Sequence, residues 1–194
     1  MAVSSNLADI PLFPLASVLF PGGRLHLRIF EPRYLDLVRE CSRGGSAFGV
    51  CLILAGNETG EPAVPAAIGT LARISDFHRD EDGLLGIVAE GGARFRVART
   101  RLRGDAKRWP GEPAVEVPVE FALLQSILER LIETMAPHWR QAPRSDYEDA
   151  SWLGFRLAEL LPLDTGEQQR MLELTDPLQR LAELRDILPR FQKP

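Results

Sequence analysis

Residues 11–34 read PLFPLASVLFPGGRLHLRIFEPRY, and this stretch decides how the first part of the chain folds. Pro14 confines the apolar segment 12–19 to an edge or irregular strand, because proline cannot donate to a sheet ladder. The PGG at residues 21–23 predicts a turn. Residues 24–30 then alternate between polar and apolar side chains, which is the period of a half-buried strand. The stretch therefore predicts two strands joined by a turn.

A short helix is predicted directly after the second strand. Pro32 suits the first helical position, since its missing N–H would have no helical partner there. Apolar residues recur at helical spacing over residues 34–41, and two glycines follow them. Arg33 lies in the first turn, where a positive charge opposes the helix dipole. We therefore expect Arg33 to have a carboxylate partner, either Glu31 or Glu40.

Further short strands follow along the chain. Residues 48–54 form a continuous apolar run, which is typical of a strand buried on both faces. Residues 68–77 and 84–90 flank an acidic turn and predict a β-hairpin. Two glycines separate this hairpin from another strand predicted at residues 94–102. Alternation over residues 115–121 predicts one more strand.

The last part of the chain changes to helical periodicity. An apolar stripe over residues 121–135 predicts one helix, which stops before a proline. The sequences SDYE at residues 145–148 and TGEQ at residues 165–168 match the capping-box pattern and predict two more helix starts. Asp176, followed by a proline suited to the first turn, predicts the start of the last helix.

The two parts of the chain also differ in charge. Residues 1–108 hold 14 basic and 12 acidic side chains, whereas residues 109–194 hold 9 and 15. The formal net charge of −4 gives no reason to expect strong attraction to nucleic acid or anionic lipid. We predict an α+β fold, with a β-rich barrel subdomain at residues 1–121 and a helical bundle at residues 122–194.

Cysteine use and apolar run lengths favour a cytoplasmic protein. Cys41 and Cys51 are too few for a disulfide framework, which indicates a reducing compartment. The start of the chain lacks a basic segment followed by an apolar core and a small-residue cleavage site. The longest apolar runs are far below the ~18 residues of a membrane span. We therefore expect cytoplasmic localisation and no membrane partner.

The sequence lacks the patterns of the common catalytic and cofactor sites. It has no phosphate-binding Gly-x-x-x-x-Gly-Lys-Ser/Thr loop. The only lysines, Lys107 and Lys193, lie in polar or terminal positions that do not suit the desolvated lysine of a Ser–Lys nucleophile. No Gly-x-Ser-x-Gly elbow supports a Ser-His-Asp triad.

The histidines and cysteines do not form a metal-binding pattern. Their positions are scattered without the spacing of paired ligands, at His26, His78, His138, Cys41 and Cys51. We interpret them as surface histidines and small core residues. We therefore expect no cofactor, no metal, no catalytic residues and no enzyme activity.

The most distinctive charged segment is RFRVARTRLRGDAKR at residues 94–108, with seven basic side chains and one acid. On a strand, alternate arginines would project from one face and could contact RNA phosphates. The candidates for this role are Arg94, Arg96, Arg99, Arg101 and Arg103. We favour the alternative that these arginines pair with acids of the same protein, because only Phe95 and Trp109 could stack on bases. Nucleic acid is therefore not expected as the main partner, and RNA binding through residues 94–103 is a second hypothesis.

Residues 11–34, followed by FGVCLIL, resemble the start of the N-terminal domain of Lon protease. The pieces IGTLARI, GLLGIVAEGGARFRV and LAELLPLDTGEQQRMLELTDPLQRLAELRDIL resemble later parts of that domain in the same order. The resemblance covers roughly residues 9–190, and the FPG and FEPRY pieces together are specific. It implies a PUA-like β-barrel followed by a helical bundle, the substrate-recognition part of Lon.

The resemblance implies a non-catalytic module that binds protein or peptide segments, here expected in a stand-alone form. The ATPase and protease modules that follow this domain in Lon are missing from the 194 residues. The partners that it implies are polypeptide clients, and then a separate ATP-dependent protease or a second copy of the chain. Peptidase activity is a further alternative, by family analogy alone.

Aromatic residues near the turns of the first stretch are the candidate binding residues. Phe20, Phe30 and Tyr34, with Arg33 beside them, could form an apolar patch that captures exposed hydrophobic segments of unfolded clients. We predict a surface cleft or apolar patch bordering residues 20–34. The other apolar side chains of the stretch are expected to enter the barrel core: Phe13, Leu15, Val18 and Leu19, and then Leu25, Leu27 and Ile29.

Overall fold

The computed structural model describes residues 6–56, 58, 63–79, 82–99 and 104–191. The chain divides into two compact units, at residues 1–110 and 111–194. The described strands belong to the first unit together with one helix, and the second unit is helical. The predicted α+β class, with a β-barrel before a helical bundle, is confirmed.

Eight strands are described in the first unit. They are β1 (Asn6–Ile10), β2 (Leu12–Leu15), β3 (Arg24–Ile29), β4 (Phe48–Ala55), β5 (Val64–Pro65), β6 (Ile68–Arg79), β7 (Leu85–Arg99) and β8 (Gly104–Arg108). Their order in the sheet is β1-β8-β7-β6-β4-β2, with β3 pairing with β7 and β5 with β4. The helix α1 (Pro32–Gly44) follows β3 and starts at Pro32, as predicted.

The sheet closes into a barrel at Pro11. β1 and β2 stand at opposite ends of the strand order, yet Pro11 alone separates them in the chain. One residue spans at most about 3.6 Å, so the two ends of the sheet must meet. The Pro11 carbonyl accepts a hydrogen bond from the Gly49 N–H of β4 at 2.9 Å, next to the parallel pairing of β2 with β4.

The first stretch folds as predicted into a strand, a turn and an antiparallel strand. Gly22 has a φ of 74°, in the left-handed region that favours glycine. Its N–H donates to the Gly91 carbonyl of β7 at 2.8 Å, which places the turn against that strand. Ile29 of β3 is buried in the core. Of the apolar side chains predicted for the core, Leu25 and Leu27 of β3 are only partly buried and pack against it. The others are buried: Phe13, Leu15, Val18 and Leu19.

β7 is one strand of 15 residues, so the prediction of two strands separated by glycines is wrong. A Cβ at Gly91 would lie 2.3 Å from the Phe20 carbonyl oxygen, so glycine allows that backbone to approach closely. The Gly91 N–H donates to the Gly23 carbonyl at 2.9 Å. The register between β6 and β7 shifts here, between Thr70 and Ala72. The glycine thus marks a bulge in a continuous strand and not a turn.

Helices make up the second unit. They are α2 (Ala122–Met135), α3 (Arg144–Tyr147), α4 (Ala150–Leu160), α5 (Thr165–Glu173) and α6 (Pro177–Ile187), with short 3-10 helices at Val119–Phe121, Pro137–Trp139 and Leu188–Phe191. α4 is central and contacts α2, α3, α5 and α6. The predicted cap of α6 is confirmed, because the Asp176 carboxylate accepts the Leu178 N–H at 2.9 Å. No helix in the described part of the chain is long and apolar enough to cross a membrane.

Residues 115–121 do not form the predicted strand. A single bridge pairs Glu116 with Asp149, and the Val117 N–H donates to the Glu148 carbonyl at 2.9 Å. Pro118 follows, and since it has no N–H it cannot extend this pairing. The segment therefore belongs to the helical unit. The two units divide after residue 110, whereas the sequence placed the boundary after residue 121.

Two helix caps lie at other positions than the sequence predicts. α4 begins after Asp149, whose carboxylate accepts the N–H of the third helical residue at 2.7 Å, and the SDYE at residues 145–148 forms no capping box. α5 is capped by Asp164, one position before the predicted threonine. Its carboxylate accepts the Glu167 N–H at 2.8 Å, and the Glu167 carboxylate accepts the Asp164 N–H at 3.1 Å. At the start of a helix, an aspartate carboxylate accepts a backbone N–H as well as a serine or threonine hydroxyl does.

Both cysteines are buried in the first unit, as expected for small core residues. Burial raises the pKa of the Cys51 thiol to about 12, and the thiolate is the reactive form. We expect neither thiol to react with a thiol-modifying reagent at about pH 8 in the folded protein, and both to react after unfolding. Intact mass spectrometry counts the modified thiols, and rapid modification of folded protein would contradict this burial.

Candidate functional site

A cleft of about 300 Å³ opens between β2 and β3 in the first unit. We call it the seam cleft, and its lining residues are Phe13, Leu15, Ser17, His26, Leu27, Arg28, Phe30, Glu31, Tyr34 and Glu58. In this half of the barrel the strands run in the order β3-β7-β6-β4-β2, so β2 and β3 are its two ends. The cleft therefore lies at the seam where these two end strands are not paired with each other.

Aromatic rings form the inner wall of the seam cleft. The Phe13 and Tyr34 rings stack with their centroids 4.0 Å apart and their planes at 11°, and Phe48 lies 6.1 Å from Phe13 behind them. Tyr34 is held there by the first turn of α1. Burial raises the pKa of its phenol, while the nearby Arg33 charge opposes that rise. The wall is thus a neutral, packed apolar surface.

The outer rim of the seam cleft is polar, and its charges are compensated within the protein. The Arg33 Nε lies 3.0 Å from the Glu31 carboxylate, which confirms one of its two predicted partners. The Arg33 guanidinium also donates to the Glu58 carbonyl at 2.6 Å and lies 4.6 Å from the centre of the Tyr34 ring. The Glu58 carboxylate accepts the Ala16 N–H at 2.6 Å. These contacts hold Glu58 against Arg33 at the start of α1 and against Ala16.

The structure brings together three of the four candidate binding residues. Phe30 and Tyr34 line the seam cleft, and Arg33 lies at its rim. Phe30 is 58% exposed, whereas Phe20 is 1% exposed, so the expectation of Phe20 at the surface is wrong. The carbonyls of Leu19 and Phe20 accept hydrogen bonds from the Thr70 hydroxyl and from the Gly23 N–H, which hold this segment against the barrel.

Sequence reasoning missed several residues of the site. His26 and Arg28 were assigned only to the polar face of a strand, yet both line the cleft. Glu58 lies between the strands predicted at residues 48–54 and 68–77, and no local pattern connects it with Arg33. Its contact with Ala16 spans 42 positions of sequence, so only the folded barrel brings the two together.

Of the five arginines proposed for RNA binding, the structure describes two side chains, Arg94 and Arg96, and only Arg96 is exposed. Arg94 is 5% exposed, so the expectation that it projects into solvent is wrong. Its carbonyl accepts the Trp109 N–H at 3.0 Å, which draws the segment after β8 over this part of β7. Arg96 is exposed and its guanidinium lies 5.9 Å from the centre of the Trp109 ring. The side chain of Arg99, and Arg101 and Arg103 altogether, lie outside the described residues.

A second groove and a pair of histidines lie away from the seam cleft. A more open groove of about 830 Å³ lies in the helical unit, lined by both acidic and basic side chains of α2 and of residues 140–147. The His26 and His78 rings lie 6.1 Å apart on the outer face of the sheet. In the described residues, however, no three or more of the histidine, cysteine and acidic side chains are placed together to hold a metal ion.

Comparisons with known proteins agree with this architecture. Residues 9–190 match the family model of the ATP-dependent protease La (LON) substrate-binding domain. A crystal structure of a Lon N-terminal domain protein from Xanthomonas campestris is 42% identical, with a TM-score of 0.75 and coverage of 93% of this chain and 98% of that chain. The N-terminal domain of a Mycobacterium avium complex Lon protease shares the fold at 17% identity and a TM-score of 0.59, over 92% and 96% of the two chains.

The similarity to full Lon proteases is confined to one part of them. The Lon protease of Heliobacterium modesticaldum is 24% identical over 97% of this chain. The chain spans about a quarter of the length of that curated relative, 24%. Because the family model matches nearly all of the sequence, the chain belongs to the family of Lon substrate-binding domains.

Proposed function

We propose that the first unit binds unfolded polypeptide segments in the seam cleft. The observation that carries this proposal is the exposed ring of Phe30 at the mouth of a cleft with a stacked aromatic wall. Apolar surface of this kind, rimmed by polar residues, marks interaction sites. The description of the family as a substrate-binding domain supports a polypeptide as the ligand.

In this proposal the chain holds its target without cutting it. Lys107, the lysine in the described part of the chain, is not among the residues that line the seam cleft, and the sequence has no phosphate-binding loop. The curated relatives are Lon proteases of which this domain is about a quarter. The partner that we propose is therefore an ATP-dependent protease that receives the bound segment, and the proposed compartment is the cytoplasm.

Phe30→Ala is expected to weaken the binding of an unfolded protein at least about tenfold, because buried aromatic anchors dominate the energy of such interfaces. The measurement is fluorescence anisotropy with labelled, reduced and carboxymethylated α-lactalbumin. Since Phe30 is exposed, the variant should unfold at the same temperature as the parent protein. The loss of affinity then reports on binding alone.

Phe77→Ala is the matched control. Phe77 is 47% exposed on β6 and does not line the cleft, so we expect its removal to change the affinity less than about twofold. Equal losses for the two variants would indicate nonspecific adhesion of apolar surface. An unmodified protein that does not bind the unfolded probe would remove the proposed function.

A further inference from the structure

We infer that the polypeptide held in the seam cleft binds as an added β-strand along the free edge of β3. This inference rests on the proposed function and specifies how the ligand is held. In the described part of the sheet β3 pairs with β7 and with no other strand. Its opposite edge faces the seam, where an extended chain could continue the ladder.

The lining of the cleft shows that it follows the edge of β3 and not one of its faces. His26, Leu27 and Arg28 are consecutive, and all three line it. Successive side chains of a strand point to opposite faces, so a pocket on one face would contact only every second residue. A cleft that contacts three residues in a row must run beside the strand, where it meets the backbone.

The hydrogen-bond pattern of the β3–β7 pair fixes which peptide groups point into the seam. His26 is directly opposite Val88, and the Val88 carbonyl accepts the Ser75 hydroxyl of β6 at 3.2 Å. Val88 therefore directs its peptide groups toward β6 and away from β3. In an antiparallel ladder, the residue opposite such a position also directs its own N–H and C=O away from the pair. The peptide groups of His26 thus face the seam.

A second contact at the end of the ladder gives the same alternation. The Gly91 N–H donates to the Gly23 carbonyl at 2.9 Å, so Gly23 faces β7. Two and four positions further on, Leu25 and Leu27 also face β7, because the direction of the peptide groups repeats every second residue. Arg24 and His26 lie between these positions and face the other way. Their N–H and C=O groups are the ones that an added strand would use.

The charges around the cleft define the chemistry of the added strand. Arg28 is paired with Asp82, Arg33 with Glu31, and the Glu58 carboxylate with a backbone N–H. Each of these charges already has a partner within the protein, so an uncharged ligand leaves all of them undisturbed. The cleft of about 300 Å³ beside the aromatic wall can take apolar side chains from one face of the strand. The occupant is therefore an uncharged, extended segment with apolar residues at every second position.

Amide hydrogen exchange tests this inference residue by residue. The probe is a capped, uncharged peptide of about eight residues in which leucine or valine alternates with serine, long enough to cover the six residues of β3. On addition of the peptide we expect the His26 amide to exchange at least about tenfold more slowly, because it gains a hydrogen-bond partner. The Leu25 and Leu27 amides, already bonded to β7, should change little.

Two substitutions at one position give an independent readout. His26→Pro removes the N–H that faces the seam, and proline is tolerated on edge strands. His26→Ala keeps this N–H and removes only the imidazole. We expect the proline variant to bind the peptide at least about tenfold more weakly than the alanine variant, because a buried acceptor on the peptide then lacks its donor. If the proline variant does not fold, hydrogen exchange of the parent protein decides.

The outcomes separate this inference from the proposed function. If the peptide binds but the His26 amide is not protected, or if the two variants bind alike, strand addition is overturned and binding at the cleft stands. Protection of the His26 amide without peptide would also overturn it, since another strand would already occupy the edge. If the unmodified protein binds neither the peptide nor the unfolded probe, both proposals are removed.

Discussion

Glu112→Ala is expected to lower the free energy of unfolding by about 3–5 kcal/mol, because it leaves the charge of Arg180 buried without its partner. Arg180 is completely buried in α6, and Glu112 is nearly so. The carboxylate of Glu112 accepts from both terminal nitrogens of the guanidinium, once at 2.8 Å. This ion pair joins the segment before α2 to the last long helix of the same unit.

The surroundings of Arg180 explain why no solvent can replace the carboxylate. Its Nε donates to the Met171 carbonyl at 2.8 Å, and a terminal nitrogen donates to the Leu174 carbonyl at 2.6 Å. The Phe155 ring lies 3.9 Å from the guanidinium carbon. A Cβ at Gly154 would lie 2.9 Å from the Arg180 side chain, so α4 closes over the arginine. Two backbone carbonyls, an aromatic ring and α4 thus surround the guanidinium.

Urea denaturation followed by circular dichroism measures this loss of stability. Two further variants serve as comparisons. Glu183→Ala removes the carboxylate of the Arg170–Glu183 pair, whose arginine is exposed, and should change stability much less. The double variant Glu112→Met with Arg180→Met replaces the pair by apolar side chains and should be more stable than Glu112→Ala. A Glu112→Ala protein as stable as the Glu183→Ala protein would contradict the importance of the buried pair.

Gly91→Ala is expected to destabilise the barrel by about 3 kcal/mol, at the upper end of ordinary overpacking. The added Cβ would lie 2.3 Å from the Phe20 carbonyl oxygen, which is a backbone atom and cannot rotate away. That carbonyl is held by the Gly23 N–H at 2.9 Å, within the turn that joins β2 to β3. Relief of the clash must therefore displace the turn or break its contact with β7.

Gly92→Ala is the control, one residue further along the same strand. Its Cβ would meet only the Leu71 carbonyl oxygen, at 3.4 Å, which is close to ordinary contact. Neither glycine has a positive φ, so the backbone conformation does not distinguish them. We expect the Gly92→Ala protein to unfold near the urea concentration of the parent. Equal losses of stability at the two positions would show that the close approach to Phe20 is not the cause.

Local sequence patterns predicted the elements that their own residues are sufficient to define. The alternation in β3, the apolar run of β4 and the proline that opens α1 each suffice to define an element. The two glycines after the hairpin were interpreted as a strand end. Gly91 is instead a glycine because the Phe20 carbonyl, 71 positions earlier in the chain, lies too close for a side chain. Residues 115–121 alternate like a strand, but their available partner is a short piece of the helical unit. Such errors arise where a distant segment decides the local structure.

The candidate site was predictable to the same extent. Phe30 and Tyr34 could be proposed because they are aromatic and lie beside a turn and a helix start. Phe20 meets the same description, and only the position of the turn against β7 determines that it is buried. The free edge of β3 could not be predicted, since it depends on which strand occupies each side of β7.

The pairing of β1 with β8 constrains how the barrel is made on the ribosome. Asn6 lies opposite Lys107, so the first described strand has its partner about a hundred residues later in translation. Until β8 has left the exit tunnel, β1 has no strand to pair with and the barrel cannot close at Pro11. A nascent chain can form the β6–β7 hairpin early, but the barrel closes only afterwards, and such long-range pairing is slow. β1 therefore stays without its β8 partner until synthesis has passed residue 108.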